Sequence, residues 1–230
     1  MRTCIGSERQ LRSERMQTPP VTPTTPCLRL DLPDADVRYW PHALDAERAD
    51  ALLAALRSGI EWQQEHVVIF GQRRLVPRLV AWHGDADARY TYSGTAHEPR
   101  PWTSHLQELR ELAEALTGHR YNSVLLNRYR DGRDGMGWHA DDEAELGRDP
   151  AIASFSLGAT RRFRLRHRRR KHAAELELDH GSLLSMAGPT QHHYLHAVPK
   201  TARPVGERIN LTFRCVTSSP PAGEGALQRG

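Results

Sequence analysis

The sequence predicts a mainly β protein of the α+β class, whose core is a double-stranded β-helix (jelly roll) buttressed by N-terminal helices. The first observation is a set of about eight short strand-like runs between residues 119 and 218, several of them separated by turn residues. The second is that two segments with helical periodicity both precede this region. Strands that follow helices in this way are typical of a double-sheet barrel with helices packed on its outside.

Each predicted helix has an apolar stripe and a stop signal. The first is predicted over Ala43–Ser58 and ends before Gly59. The second is predicted over Thr103–Thr117, between Pro101 and Gly118. The stripes at helical spacing are Ala49, Leu52, Leu53 and Leu56 in the first helix and Leu106, Leu109, Ala113 and Leu116 in the second.

The predicted strands are short runs with alternating or continuous apolar residues. They are Asn122–Tyr129, Gly137–Asp141, Ile152–Leu157, Arg162–His167, Ala174–Leu178, Ser182–Met186, Tyr194–Val198 and Arg208–Val216.

Four segments are expected along the chain. Residues 1–30 are rich in Pro, Thr, Arg and Ser and predict a disordered tail. Residues 31–118 form an N-terminal extension with the two helices and further strands, residues 119–218 form the barrel core, and residues 219–230 form a flexible C-terminus. Cys4, Cys27 and Cys215 are too few and too scattered for a disulfide framework or a thiolate metal site.

Composition limits the partners and the compartment. The net charge of +4 is mild and does not by itself decide for or against a nucleic-acid partner. No apolar run approaches the ~18–20 residues of a membrane span. The first 26 residues lack the apolar core of a secretory signal. The expectation is a monomer without membrane contact in the cytoplasm, associated with the nucleoid if the source is bacterial.

A metal site is predicted from the run GWHAD at residues 137–141. Residues i and i+2 of a strand point to the same face, so His139 and Asp141 would project together. A distant histidine would complete a 2-His-1-carboxylate set, which leaves positions open on a non-haem iron. The candidates are His192, His193 and His196, and spacing alone does not choose between them. His167, His172 and His180 lie among charges and are expected to be solvated.

The last predicted strand has an unusual polar face. In RINLTFR, residues 208–214, the apolar residues fall on one face, and Arg208, Asn210, Thr212 and Arg214 fall on the other. An arginine inside a barrel needs an anionic partner, and a dicarboxylate would provide one. The alternative is an amphipathic strand with its arginines in solvent. Asn127 and Tyr129 repeat the same-face spacing upstream and could bind the same ligand.

Together these stretches resemble the AlkB family, and most closely its duplex-DNA-acting branch. The matching segments are NSVLLNRYRDGRDGMGWHADDE, GSLLSMAGPTQHHYLHAVPK and RINLTFR, and the resemblance extends upstream through VIFG, VPRL and YTYSG to cover roughly residues 65–216. It implies an Fe(II)/2-oxoglutarate-dependent dioxygenase that also consumes O2. The implied iron ligands are His139, Asp141 and His196, and the implied 2-oxoglutarate ligands are Asn127, Tyr129, Arg208, Asn210 and Arg214.

The resemblance also implies the reaction and the substrate. Oxidation of 2-oxoglutarate to succinate and CO2 would be coupled to hydroxylation of an N-methyl group, as in 1-methyladenine or 3-methylcytosine of DNA, with formaldehyde released. Bases must leave the stack to be reached by such an enzyme. The implied substrate residues are Tyr92 as the stacking aromatic, Tyr90 and Glu143 as pocket residues, Phe70 as a wedge and Arg78 near the displaced strand.

Three alternatives remain at this stage. The same chemistry could act on RNA or single strands, or the barrel could be a non-catalytic nucleic-acid-binding module. A protein or small-molecule hydroxylase would leave Tyr92, Glu143 and the basic run of residues 166–172 without a role. That run could grip phosphates or could be a solvated loop.

Overall fold

The computed structural model describes residues 26–69, 72–88, 90–92 and 95–217. In this part of the chain strands predominate, and they form two principal sheets that face each other. The predicted class, mainly β with a jelly-roll core and helices outside it, is confirmed. Within the same residues no helix has both the length and the apolar character needed to cross a membrane.

The larger sheet has seven strands among the described residues. From one edge to the other they are β1 (Leu28–Leu30), β2 (Asp36–Trp40), β13 (Ser182–Ala187), β10 (Ile152–Gly158), β15 (Arg208–Arg214), β8 (Ser123–Tyr129) and β5 (Leu79–Gly84). All of these neighbours pair antiparallel.

The smaller sheet and two hairpins complete the β structure of the described residues. The smaller sheet runs β12 (Ala173–Leu178), β11 (Arg161–His167), β14 (Tyr194–Val198) and β9 (Met136–His139). The hairpins are β3 (His66–Ile69) with β4 (Gln72–Leu75), and β6 (Tyr90–Tyr92) with β7 (Thr95–His97).

The two long helices begin and end where local chemistry places their caps. Helix α1 (Ala46–Gly59) starts later than predicted because the Asp45 side chain accepts a hydrogen bond from the Arg48 amide at 2.7 Å. Helix α2 (Ser104–Thr117) starts after Thr103, which caps it, and ends at Gly118, whose φ of 76° is the left-handed conformation that favours glycine. The short helices are a 3₁₀ turn (Ala144–Leu146) and α3 (Thr190–His193).

Strand β15 lies between the apolar cluster that contains the two long helices and the cavity between the sheets. All seven of its residues are buried. Ile209, Leu211 and Phe213 belong to the apolar cluster that includes Leu52 of α1 and Leu109 of α2. The opposite, polar face lines a cavity between the two sheets. The alternation predicted from the sequence holds, and its polar face points into the barrel rather than into solvent.

Two predicted segment boundaries differ from the structure. Strand β1 lies inside the predicted tail of residues 1–30, because its three residues pair with Tyr39, Arg38 and Val37 of β2. Strands β1, β2 and β5 belong to the predicted N-terminal extension, yet they complete the same sheet as the barrel strands. The seven-stranded sheet therefore contains strands from both sides of residue 118. The rest of the predicted tail, residues 1–25, and the predicted flexible segment 219–230 lie outside the described residues.

Candidate active site

An open cavity lies between the two sheets. Its walls carry every residue predicted to bind the metal or the cosubstrate, namely His139, Asp141, His196, Asn127, Tyr129, Arg208, Asn210 and Arg214.

Three of these side chains converge as a potential metal site. The ligand atoms of His139, Asp141 and His196 lie within 4.8 Å of one another. Strand pairing brings the histidines together, because His139 of β9 is opposite His196 of β14, and their ring centroids are 4.2 Å apart. Asp141 lies beyond the end of β9, so its predicted place in the strand is wrong. Its Oδ2 nevertheless lies 3.8 Å from His196 Nε2.

Two contacts hold Asp141 in this position. Its backbone N–H donates to Oε1 of the fully buried Gln191 at 3.0 Å. Its carboxylate accepts from Arg214 Nη2 at 2.6 Å. Burial raises the pKa of the Asp141 carboxyl, but the Arg214 guanidinium and the two imidazoles offset this, and the net pKa lies below its ordinary value of 3.8. Asp141 is therefore a carboxylate at neutral pH.

Each of the two histidines can offer a ring nitrogen to a metal ion. Burial, with the neighbouring His139, lowers the pKa of His196 to about 3, so its imidazole carries no charge at neutral pH. His139 Nδ1 lies 2.9 Å from the carbonyl oxygen of Gly137, which directs the proton to Nδ1 and leaves a lone pair on Nε2. Two imidazoles with one carboxylate fit the donor set of non-haem Fe(II).

A buried arginine in the cavity wall favours an anionic ligand. Arg208 is 1 % exposed, and its Nη2 donates to Ser156 Oγ at 2.9 Å. Its Nε and Nη1 have no hydrogen-bond partner among the described residues, and no described carboxylate pairs with it. Burial lowers its pKa to about 10, so the side chain remains a cation at neutral pH. A small carboxylate ligand would satisfy both free donors and neutralise the charge.

Two further predicted cosubstrate residues, Asn210 and Asn127, line the cavity and are hydrogen-bonded to neighbouring residues. Asn210 Nδ2 donates to Ser154 Oγ at 2.7 Å and to the carbonyl oxygen of Phe155 at 2.9 Å. Asn127 Oδ1 accepts from Arg78 Nε at 2.6 Å. Arg78 was predicted to lie near a displaced strand, and the structure places its guanidinium against this cavity residue.

The structure places some of the predicted substrate residues but does not describe all of them. Glu143 is half-buried and precedes the 3₁₀ turn, two residues after Asp141. Tyr90 and Tyr92 lie in β6, opposite His97 and Thr95 of β7. The predicted wedge at residue 70 lies outside the described residues, so Phe70 remains a prediction.

The expected solvation of His167 is wrong. Its side chain is buried, with Nε2 at 3.3 Å from Asp34 Oδ2, and Nδ1 accepts from the amides of Arg169 and Arg170 at 3.0 and 2.9 Å. Asp34, His167 and His193 thus form a second cluster of potential metal ligands. A neutral imidazole whose Nδ1 accepts must carry its proton on Nε2, which then donates to Asp34. This geometry favours a structural hydrogen bond over metal binding.

Sequence reasoning missed the supporting residues. Gln191 and Ser156 contact the site residues directly, but nothing in their sequence surroundings distinguishes them from ordinary polar positions. The other two candidates for the third ligand, His192 and His193, lie on α3. His192 Nε2 pairs there with Asp149 at 3.3 Å, away from the triad.

A jelly roll that places a His-Asp-His triad and a buried arginine in one cavity defines an Fe(II)- and 2-oxoglutarate-dependent oxygenase. The sequence profile of the 2OG-Fe(II) oxygenase superfamily matches residues 36–214, and the chain belongs to that family. Fe(II), 2-oxoglutarate and O2 are therefore its cofactor and cosubstrates.

Similar curated proteins support a narrower relationship. Human alpha-ketoglutarate-dependent dioxygenase alkB homolog 3 is 40% identical over 194 residues, which are 80% of this chain and 67% of that protein. Human DNA oxidative demethylase ALKBH2 is 41% identical over 177 residues, covering 72% and 68%. The Arabidopsis thaliana ALKBH2 is 34% identical over 210 residues, covering 79% and 67%. The predicted resemblance to AlkB proteins is confirmed, and the chain spans about two thirds of these relatives' length.

A solved structure gives independent support for the fold. The structure of OsALKBH1 superimposes with a TM-score of 0.60 at 16% identity, covering 83% of this chain and 100% of that chain.

Proposed function

We propose that this protein oxidatively removes alkyl groups from damaged nucleic-acid bases, with DNA as its main substrate and 1-methyladenine and 3-methylcytosine as typical lesions. The observation that carries the proposal is the shared cavity, which is lined both by a complete metal triad and by a buried guanidinium with two unsatisfied N–H donors. Relatives that are about 40% identical include proteins named DNA oxidative demethylase, which supports a base in nucleic acid as the substrate.

We assign the metal and cosubstrate roles as follows. His139, Asp141 and His196 would hold Fe(II). The residues that would hold 2-oxoglutarate are Asn127, Tyr129, Arg208, Asn210 and Arg214. When bound, the iron and 2-oxoglutarate supply the oxidising chemistry that converts O2 and an N-methyl group into a hydroxymethyl group, with succinate and CO2 as coproducts. The hydroxymethylated base then loses formaldehyde.

The protein's own residues bind and orient the reactants. Arg208 offers two free donors to the distal carboxylate in a buried setting, where a charge-assisted hydrogen bond is strong. Arg214 and Gln191 fix Asp141 so that its carboxylate faces the two imidazoles. These contacts orient the groups that would bind the reactants.

We assign base recognition to Tyr90, Tyr92 and Glu143. Tyr92 would stack on the flipped base, with the His139 ring on the other side, and Tyr90 would line the same pocket. Glu143 would accept a hydrogen bond from the exocyclic amine. Its position two residues after Asp141 supports this role, because it belongs to the loop that carries a metal ligand.

A basic surface beside the site supports binding to a phosphate backbone. The basic segment, residues 166–172, begins in the last two residues of β11, and the Arg166 guanidinium lies 4.3 Å from the ring centroid of Trp138. Trp138 is 39% exposed and precedes the metal ligand His139 in β9. Cations and an aromatic ring next to the catalytic cavity are a combination that suits nucleic-acid strands.

We propose a double-stranded substrate and a monomeric enzyme. The duplex assignment rests on Phe70 as the wedge and on the basic segment for backbone contacts. The alternative is an RNA- or single-strand-specific demethylase of the same chemistry.

The proposal is tested by measuring succinate and formaldehyde with methylated oligonucleotides as substrates. Wild-type protein should turn over single- and double-stranded DNA that carries 1-methyladenine or 3-methylcytosine, and should prefer the duplex. A preference for RNA or single strands would favour the alternative substrate. Oligonucleotide binding with no succinate from any member of the panel would instead identify a non-catalytic binding module.

A further inference from the structure

A second buried arginine lies behind the cosubstrate cavity. Arg161, the first residue of β11, is 2% exposed and shares the inward face of that strand with Phe163, which lines the cavity. Its Nη2 donates to the carbonyl oxygens of Asp134 at 2.9 Å and Pro199 at 2.8 Å, and its Nη1 donates to that of Asp131 at 3.3 Å. The guanidinium is thus hydrogen-bonded by neutral groups.

Arg161 has no carboxylate partner among the residues that the structure describes. The two nearest acidic side chains are engaged elsewhere, since Asp134 pairs with Arg130 at 2.8 Å and Asp131 pairs with Arg133 at 2.7 Å. Carbonyl oxygens satisfy the N–H groups of Arg161 but carry no full charge. Burial lowers the pKa of Arg161, and the nearby Asp134 and Asp131 carboxylates offset this only in part. A further anion near this buried cation would therefore be favourable.

Arg161 and Arg208 share one aromatic neighbour. Their guanidinium carbons lie 5.7 and 5.2 Å from the centroid of the Tyr129 ring, respectively. Burial is the main cause of the lowered pKa of Arg208, and the nearby charge of Arg161 lowers it further. Two positive charges around one tyrosine favour an anion bound at Arg208, because its charge interacts with both.

We propose that Arg161 is a specificity-determining residue that makes the cavity select 2-oxo acids with a second, distal carboxylate. It does not touch the ligand. It acts through its charge behind Tyr129 and by tying the loop of residues 131–134 to Pro199. The inference rests on the proposed placement of 2-oxoglutarate with its distal carboxylate at Arg208.

The test compares two ligands that differ only at the distal end. 2-Oxopentanoate has the same chain length as 2-oxoglutarate but ends in a methyl group. Both are titrated calorimetrically into the Mn(II)-loaded protein, which requires no turnover. Arg161→Gln should weaken binding of 2-oxoglutarate by about tenfold, the size expected for losing one nearby charge. Binding of 2-oxopentanoate should change by less than about twofold on the same scale.

Two further variants separate charge from packing. Arg161→Lys keeps the charge but cannot reach all three carbonyl oxygens, so it should retain the preference for 2-oxoglutarate even if both ligands bind more weakly. Arg162→Gln is the matched control, because Arg162 is the exposed neighbour and pairs with Glu175 at 3.0 Å. It should leave both affinities unchanged.

Equal weakening of both ligands in Arg161→Gln, or loss of the preference in Arg161→Lys, would overturn the inference. If Arg161→Gln does not fold, the lysine variant alone decides. These outcomes are distinct from failure of the proposed substrate. A wild-type protein that selects 2-oxoglutarate but demethylates no oligonucleotide would refute the substrate assignment and leave the role of Arg161 standing.

Discussion

Replacing Gln191 by leucine is expected to weaken metal binding, although Gln191 is not a metal ligand. Its Oε1 accepts the backbone N–H of Asp141 at 3.0 Å, and the side chain is fully buried. Leucine is close to glutamine in size but cannot accept this hydrogen bond. The Asp141 carboxylate would then be held mainly by Arg214.

The magnitude follows from what the substitution leaves unpaired. A buried N–H without an acceptor costs roughly 1–3 kcal/mol, and this is the expected loss in the free energy of unfolding. Residues that orient metal ligands typically contribute about 10- to 100-fold in metal affinity. Gln191→Leu should therefore raise the dissociation constant for Mn(II) by that factor, because Asp141 is no longer fixed toward His139 and His196.

The assay is a calorimetric or paramagnetic-resonance titration with Mn(II) at neutral pH, together with urea unfolding of the metal-free protein. Gln107→Leu, at an exposed position of α2, is the control and should change neither quantity. Metal affinity within about twofold of wild type, alongside a clear loss of unfolding free energy, would show that Gln191 only packs the interior.

Four other predictions test separate parts of the molecule. His139→Ala should abolish succinate formation, and residual turnover above background would contradict the assigned triad. Arg208→Gln should raise the KM for 2-oxoglutarate by roughly 10- to 100-fold, the loss expected for a charge-assisted hydrogen bond, with a smaller effect on kcat in steady-state kinetics. Burial lowers the pKa of His83 below 6.5, so the unfolded chain binds more protons and unfolding free energy falls as the pH drops below that value. When urea unfolding is measured at pH 7.5 and at pH 5.5, the unfolding free energy should fall less between the two in His83→Gln than in the wild type. Equal falls in the two proteins would exclude His83 as a contributor. Phe70→Ala should reduce duplex repair more than single-strand repair, and equal losses would refute the wedge assignment.

Periodic patterns in the sequence predicted much of the fold because they report local geometry. Helix α2 was predicted to within one residue, since Thr103 caps it and Gly118 ends it. Strand β14 matches its predicted range, Tyr194–Val198. The strand order did not follow from these patterns. Pairing of β2 with β13 joins residues more than 140 positions apart, and no local pattern encodes that choice.

For the site, the sequence by itself determined the chemical inventory, and the tertiary structure decided its arrangement. The motifs predicted imidazoles and a carboxylate for a metal, and arginines on one face of a strand. Residue type and the two-residue repeat of a strand can both be read directly from the sequence. Pairing of β9 with β14 brought His196 rather than His192 or His193 to His139. The support of Asp141 by Gln191, 50 positions away, arises only when distant segments pack, and so does the buried charge of Arg161 behind the cavity.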